Sequence, residues 1–488
     1  MKKLLFANKI VLALTMFATL SACKNDFLEV NPKGKLIASK TSDYDLMFNW
    51  GAIRIGLPTS AVIMGDDAIV VDPLYAKATL RTQRFFRWED DVYEPDDNAS
   101  EMSLLMPKIY IYNKIIEEVM DSDGGSEQFK KELRAEARAN RAWSYFLLIN
   151  FFGLPYDEST SATDLGYPII REANVAETLF KRASVAEVYD FIIDDLKKAI
   201  EELPPQSAAR VRMSKAAAEA ILAKVYMFMG KFDEGLTQVN NAFSHLPTNF
   251  TVALYDFNKT LAEGGTWGYN KNTTPKTYLG GVPSGDLHEE TLLDRGFNNS
   301  WSLNGADILL SDETAALYEA NDMRLKLFSN QPYGGGSIAS PNPAGRPAPM
   351  RAIGFYNTQY GVRLAEMYLI SAECKARTGD LTGAKADLEM LRKNRMPAGS
   401  VAVGATDQNE LIRFVIEERQ RELAMQGYRW FDMRRLYRDP LFADNLPYRH
   451  KYVAATGETT TYTLRPERLA IRFPQSVINA NQGMPNNQ

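Results

Sequence analysis

Three histidines, His245, His288 and His450, are all the chain offers for imidazole chemistry, and they stand far apart in sequence. A catalytic zinc or a Ser/His/Asp relay starts poorly supplied. His288-Glu289 opens like a zinc-binding helix, but Leu292 stands near where the second histidine would be needed. Asp121-Ser122-Asp123-Gly124-Gly125, with Glu132 at the twelfth place, has the outline of a calcium loop. Its sixth place is Ser126, where such loops require glycine, so the segment reads as a plain helix connection. Acidic residues number 61; some pair will always have the spacing used for glycoside hydrolysis, so abundance singles out none. Cys374 lies in an apolar helical stretch and reads as a core residue. Planar aromatic side chains set among polar residues remain: Trp88, Trp267, Tyr269, Tyr278 and Trp301, each able to stack on a flat apolar ring face. These five are the candidate ligand-binding residues, and the sequence calls for no catalytic residue, cofactor or metal.

The whole chain bounds this further. It has 488 residues, 45% of them hydrophobic, which supports a large core. With 56 basic against 61 acidic residues there is no global basic field, and nucleic acid is not an expected partner. Lys2, Lys3 and Lys9 lie around and before an apolar run from Ile10 to Leu20 that is too short to span a bilayer. Leu20-Ser21-Ala22-Cys23 then resembles a bacterial lipobox. Residues 1–22 are expected to be a lipoprotein signal peptide and Cys23 the lipidated first mature residue, with 23–42 a tether. Several acyl chains would anchor it stably where one would not.

Helical periodicity dominates the rest. Apolar residues recur near the 3.6-residue period over 101–120, and 128–152 runs without Gly or Pro until Gly153 and Pro155. Further helices are predicted over 184–202, 213–229, 361–378, 381–395 and 408–426. Residues 43–100 read as short helices joined by loops, and the last 27 residues as an extended closing segment. Ala223, Gly230 and Gly235 repeat the spacing of Ala372, Gly379 and Ala384. A small residue permits close helix approach and the glycine ends the first helix, the logic of a tetratricopeptide-like hairpin. Between the two copies lies a loop-rich insert, 244–360, with a short helix near 311–320. One domain, 43–488, is expected, with the helix-pair scaffold at about 101–243 and 361–435 and a ligand-binding portion at about 244–360.

Several segments resemble the SusD/RagB family of nutrient-binding lipoproteins. They are the lipobox followed by Asp26-Phe27-Leu28-Glu29 and Asn31-Pro32; the Arg134-to-Phe146 helix running on to Phe152-Gly153-Leu154-Pro155; Arg363 to Glu373; Glu417 to Leu423; Gly427 to Arg435; and Ile471-Arg472-Phe473-Pro474-Gln475. Arg472 departs from the proline usual in the family. The resemblance implies a mostly all-α, SusD-like fold: a tetratricopeptide-like helix-pair scaffold carrying a large irregular loop-rich insert. It implies a non-enzymatic protein on the outer face of the outer membrane. Such a protein captures oligosaccharides, or in some branches peptides, and delivers them to a SusC-like TonB-dependent transporter. It also implies that the Arg/Glu-rich stretches 134–141 and 417–435 hold helices together.

Under that reading the five aromatics would stack on sugar rings, with Asn, Asp, Arg or Gln serving the hydroxyls. Two rival readings are a glycosidase, which lacks a supporting motif, and a helical scaffold gripping a peptide or protein in a concave groove.

Overall fold

Capping chemistry sets the helix boundaries. In the computed structural model, residues 38–56, 58–72, 74–95, 97–267, 269–270, 277–278, 285–298, 308–329, 351–352 and 357–488 are described. Cys23 and the leader lie outside them. Helix α1 is Met106–Glu118 and α2 is Glu127–Phe152, where the Ser126 hydroxyl accepts from the Phe129 N–H and Gly153 ends the helix. Helix α3, Val185–Glu202, starts on a reciprocal Ser184/Glu187 capping box. Helix α4, Lys215–Phe228, is capped by Ser214, and α5 is Phe232–Ser244. After the insert come α6, Leu364–Thr378, α7, Leu381–Arg392, α8, Gln408–Leu423, and α9, Arg429–Leu436. The long helices predicted from the sequence are all present, the first of them broken into the turn Ser100–Ser103 and α1.

The two small-residue hairpins are neighbours in space. Gly230 and Gly379 both take positive φ, +74° and +93°, which reverses the chain after α4 and α6. Helix α5 then packs on both α4 and α6, bridging the insert. Gly235 makes this possible: a Cβ there would lie 3.0 Å from Cys374 Sγ on α6 and 3.4 Å from the Ala223 carbonyl oxygen on α4. Cys374 is a buried core thiol whose pKa burial pushes up, so it packs and does not react.

Buried charge organises the interior where the insert meets the scaffold. Arg395 forks between Glu290 (2.7 Å) and Glu422 (2.9 Å), while Arg324 joins Asp322 (2.7 Å) and Glu418 (2.7 Å). A second chain runs from Glu373 through Arg435, Asp432 and Arg419 to Glu366 and Lys224. The 134–141 stretch also holds helices together: Arg141 pairs with Asp195 on α3, and Arg134 with Glu202. Burial of an ion is tolerated when a partner and hydrogen bonds replace water, and apart from the local pairs Arg324–Asp322 and Arg435–Asp432 each of these pairs spans two elements.

Three sequence expectations need correction. Within 43–100 there is a strand as well as short helices: β1, Ala68–Val71, which joins β2, Leu309–Leu310, β3, Arg449–Val453, and β4, Thr459–Thr463, in the order β4-β3-β1-β2. Strand β1 runs parallel to β3 and antiparallel to β2. The closing segment is not wholly extended, because Gln475–Ala480 forms a short helix after Pro474, whose fixed φ suits a helix start. The predicted helix near 311–320 is the single turn Asp312–Ala315, capped by Ser311.

Candidate functional site

The insert contributes a strand, Gly296–Asn298, that pairs antiparallel with Asn357–Gln359, matching Gly296 to Gln359 and Phe297 to Thr358. On its other side the turn Gly51–Arg54 docks through Ile55, which bridges Gly296, and the Gly56 N–H donates to the Gly296 carbonyl at 2.8 Å. A cleft of about 490 Å³ opens over this seam, and Arg54, Thr59, Arg81, Ser100, Asp294 and Gln359 supply polar groups to its lining. Arg81 comes from the helix Leu80–Arg87 and Ser100 from the turn Ser100–Ser103.

Glycine shapes the wall. A side chain at Gly285, whose φ is +40°, would collide with the Asp294 carboxylate and the Arg54 guanidinium. Its absence lets Arg54 donate from Nε (2.8 Å) and Nη2 (2.5 Å) to Asp294 Oδ2 at the cleft surface. Gly296 likewise leaves room beside the Gln359 amide, 3.0 Å from where a Cβ would stand. Gln359 is only 7% exposed, and its Oε1 has no hydrogen-bond partner among the described residues. An unsatisfied buried acceptor is unfavourable by about 1–3 kcal/mol unless a ligand or water donates to it.

Behind the seam lie two more cations. The Lys108 ammonium donates to the Ile55 carbonyl, and burial, with Arg295 adding to it, pulls its pKa down to about 7. Arg295 donates to Asn140 Oδ1 (2.5 Å), the Val211 carbonyl (3.0 Å) and the Asp294 carbonyl (2.7 Å), all neutral acceptors.

Of the five aromatics singled out in sequence, the two whose side chains are described, Trp88 and Trp267, are not among the residues lining this cleft. Trp88 is 5% exposed, donates from Nε1 to the Met64 carbonyl at 3.1 Å and stacks on His450. Trp267 is 5% exposed and packs edge-on to Tyr255 and Phe257. The expectation that these two rings stand open to solvent is therefore corrected, because both are packed by neighbouring side chains. Tyr269 and Tyr278 face each other in register in two short strands, but their side chains, and the whole of Trp301, lie outside the described residues. Trp50, 42% exposed at the start of the turn that carries Arg54, was missed. Its setting, Asn49-Trp50-Gly51, has the polar, glycine-bearing character that singled out the others.

The histidines are dispersed. His245 pairs with Glu219 (2.8 Å), His288 is buried with its pKa pushed down by burial to about 4, and His450 sits 2.6 and 2.7 Å from two carbonyl oxygens. Among the described residues, no three His, Cys, Asp or Glu side chains gather as a metal site.

Comparison with known proteins fits this architecture. Residues 26–227 match a family model described as SusD-like, starch-binding and associating with the outer membrane, and residues 348–488 match the SusD family model. A SusD-like protein of Formosa agariphila is 24% identical over 383 residues, covering 70% of this chain and 72% of its own. A SusD-like protein of Bacteroides ovatus is 28% identical over 363 residues, covering 66% and 62%. The solved structure of a SusD superfamily protein from Bacteroides thetaiotaomicron superposes with a TM-score of 0.68 at 18% identity, covering 92% of this chain and 100% of that one. A SusD-like carbohydrate binding protein from Bacteroides vulgatus gives a TM-score of 0.65 at 16% identity, covering 91% and 97%. The lipobox region apart, the matches take in both helix-pair segments and the mostly α-helical fold, and the chain belongs to the SusD/RagB family.

Proposed function

We propose that this protein captures oligosaccharides at the cell surface and delivers them to a SusC-like TonB-dependent transporter, with the cleft over the 296–298/357–359 seam as the capture site. Family membership makes it a carbohydrate-binding accessory protein of nutrient uptake that associates with the outer membrane. The observation behind the assignment to this cleft is Gln359, which lines the polar cavity and whose buried Oε1 has no partner among the described residues, so that a small shift of its amide would offer an acceptor to a ligand. A sugar hydroxyl would donate to it, others to Asp294, while Arg54 and Arg81 would donate to ring and hydroxyl oxygens. Trp50 would offer a stacking plane at the edge, and Tyr269, Tyr278 and Trp301 remain proposed contacts from the insert.

The same reading makes Cys23 the lipid anchor and the tether 23–42 the link to the membrane, facing the exterior. Binding without hydrolysis suits the cleft chemistry: of the described lining residues Asp294 is the one carboxylate, and it is held by Arg54. A glycosidase uses two carboxylates on opposite sides of the scissile bond. The test is a glycan array followed by calorimetry on the soluble protein lacking residues 1–23. Binding of an oligosaccharide with no new reducing ends on long incubation supports capture. Co-purification of the lipidated protein with a large β-barrel from outer membranes tests the transporter. A peptide bound in place of any glycan would overturn the sugar assignment.

A further inference from the structure

Charge around the cleft is unbalanced. Arg54 and Asp294 offset each other in a 2.5 Å pair. Arg81 makes one hydrogen bond, to the Asn98 carbonyl at 3.2 Å, and no ion pair with any described residue. It also sits in the first turn of its helix, after the Thr79 cap, where the helix dipole is positive and a cation is disfavoured. Behind the floor, Arg295 and Lys108 are both buried and hydrogen-bonded only to neutral acceptors among the described residues. Glu136, the nearby acid on α2, is already held by Arg212 at 2.7 Å. Arg295 feels Glu136 and Asp294 at a distance but has no carboxylate among the described residues hydrogen-bonded to it, Lys108 has none either, and Arg81 is partly exposed at the cleft, so an anion brought into the cleft would be favoured by all three. A neutral sugar would satisfy Gln359 and leave that excess in place.

We infer that the cleft is built for an acidic saccharide, whose carboxylate or sulfate group lies beside Arg81 while its hydroxyls donate to Gln359 and Asp294. This rests on the reading of the cleft as the carbohydrate site and narrows the class of sugar it takes. A guanidinium favours such anions because its planar N–H fork matches two oxygens of a carboxylate or sulfate, and because Arg keeps its charge at any physiological pH. The field of Arg295, joined by that of Lys108 when it is protonated, adds attraction at longer range, which salt would screen.

The test is calorimetry of the soluble protein with three probes: an oligogalacturonide, a sulfated galactan oligosaccharide and a neutral malto-oligosaccharide. The inference expects one of the acidic probes to bind at least about tenfold more tightly than the neutral one, with affinity falling as ionic strength rises. The preferred acidic probe distinguishes a carboxylate from a sulfate ligand. Arg81→Gln should weaken that probe by about 10-fold or more, and Arg81→Lys by less, since the point charge remains without the fork. Circular dichroism and the melting temperature confirm that both variants fold. Equal or tighter binding of the neutral probe, or an Arg81→Gln variant that binds the acidic probe unchanged, overturns the inference and leaves the carbohydrate cleft standing. Failure of every glycan on the array would remove both.

Discussion

Trp88 lies face to face with His450, ring centroids 3.8 Å apart and planes 14° from parallel. Phe86 stacks on the same imidazole at 4.3 Å and 3°, so the ring is held between two aromatic planes. Its two nitrogens reach the carbonyl oxygens of Phe86 and Gly65 at 2.6 and 2.7 Å. Strand β3 is thereby tied to the segment 65–88. A tryptophan that sequence alone offers as a stacking platform is here a prop for the sheet.

Replacing His450 with Ala removes both stacks and both carbonyl contacts. A loss of about 3 kcal/mol in unfolding free energy is expected, with a change in tryptophan emission as Trp88 gains solvent. Urea unfolding followed by fluorescence measures it; a loss below about 1 kcal/mol would mean the stack carries little.

The contact between Gly235 and Cys374 predicts coupling across the insert. Gly235→Ala places a methyl against Cys374 Sγ and should destabilise by about 1–3 kcal/mol. Cys374→Ala removes that sulfur, and the double variant should lose less than the sum of the singles. Strict additivity in thermal unfolding would show that α5 and α6 do not meet as described.

Arg395 holds two buried carboxylates at once. Burial pushes Glu290 up, but Arg395 and Arg363 outweigh it and hold its pKa at about 2. Arg395→Met should cost about 3–5 kcal/mol, and adding Glu290→Gln and Glu422→Gln should recover part of it. The depressed pKa of Glu290 also gives stability that is full above the unfolded carboxylate pKa and lost as pH falls toward about 2. Acid titration of unfolding, compared with Glu290→Gln, reads this directly.

Asp67 behaves in the opposite sense. Burial, with the neighbouring Asp66 adding to it, raises its pKa to about 7 against the Met425 N–H, which donates to Oδ2 at 2.7 Å, its own backbone N–H and the Arg429 charge. Because the folded value exceeds the unfolded one, the folded state retains the proton longer. This contribution is full below the unfolded carboxylate pKa and is lost as pH rises through about 7, by up to about 4 kcal/mol. Asp67→Asn keeps an acceptor for Met425 and cannot ionise, so it should flatten the decline and be the more stable form at pH 8. A decline of the same slope in the variant would exclude Asp67 as its source.

The helices were legible because each writes its own period and Gly153, Gly230 and Gly379 mark ends; the caps Ser126, Ser184 and Ser214 that set the starts emerge from the structure. The matched spacings around Gly235 and Ala384 marked two helix hairpins, but not that α5 packs on α6 across the insert. The sheet was not legible, since β1, β2 and β3 are short pieces drawn from residues 68, 309 and 449, and none has room to display alternation. The cleft was harder still. Arg54 and Arg81 look like ordinary surface charges until the fold sets them beside Asp294 and Gln359. Whether an aromatic side chain is free to meet a ligand depends on its exposure, which the fold sets: Trp88 is 5% exposed and Trp50 42%.

The central claim is that oligosaccharide binds in the cleft formed by the turn Gly51–Arg54 and the strands Gly296–Asn298 and Asn357–Gln359. A crystal structure of the soluble protein soaked with its best-bound oligosaccharide tests it most directly. The account predicts a sugar hydroxyl within hydrogen-bond distance of Gln359 Oε1, with further contacts to Arg54, Arg81 and Asp294. Sugar density elsewhere on the protein, with Gln359 Oε1 still unpartnered, would contradict it.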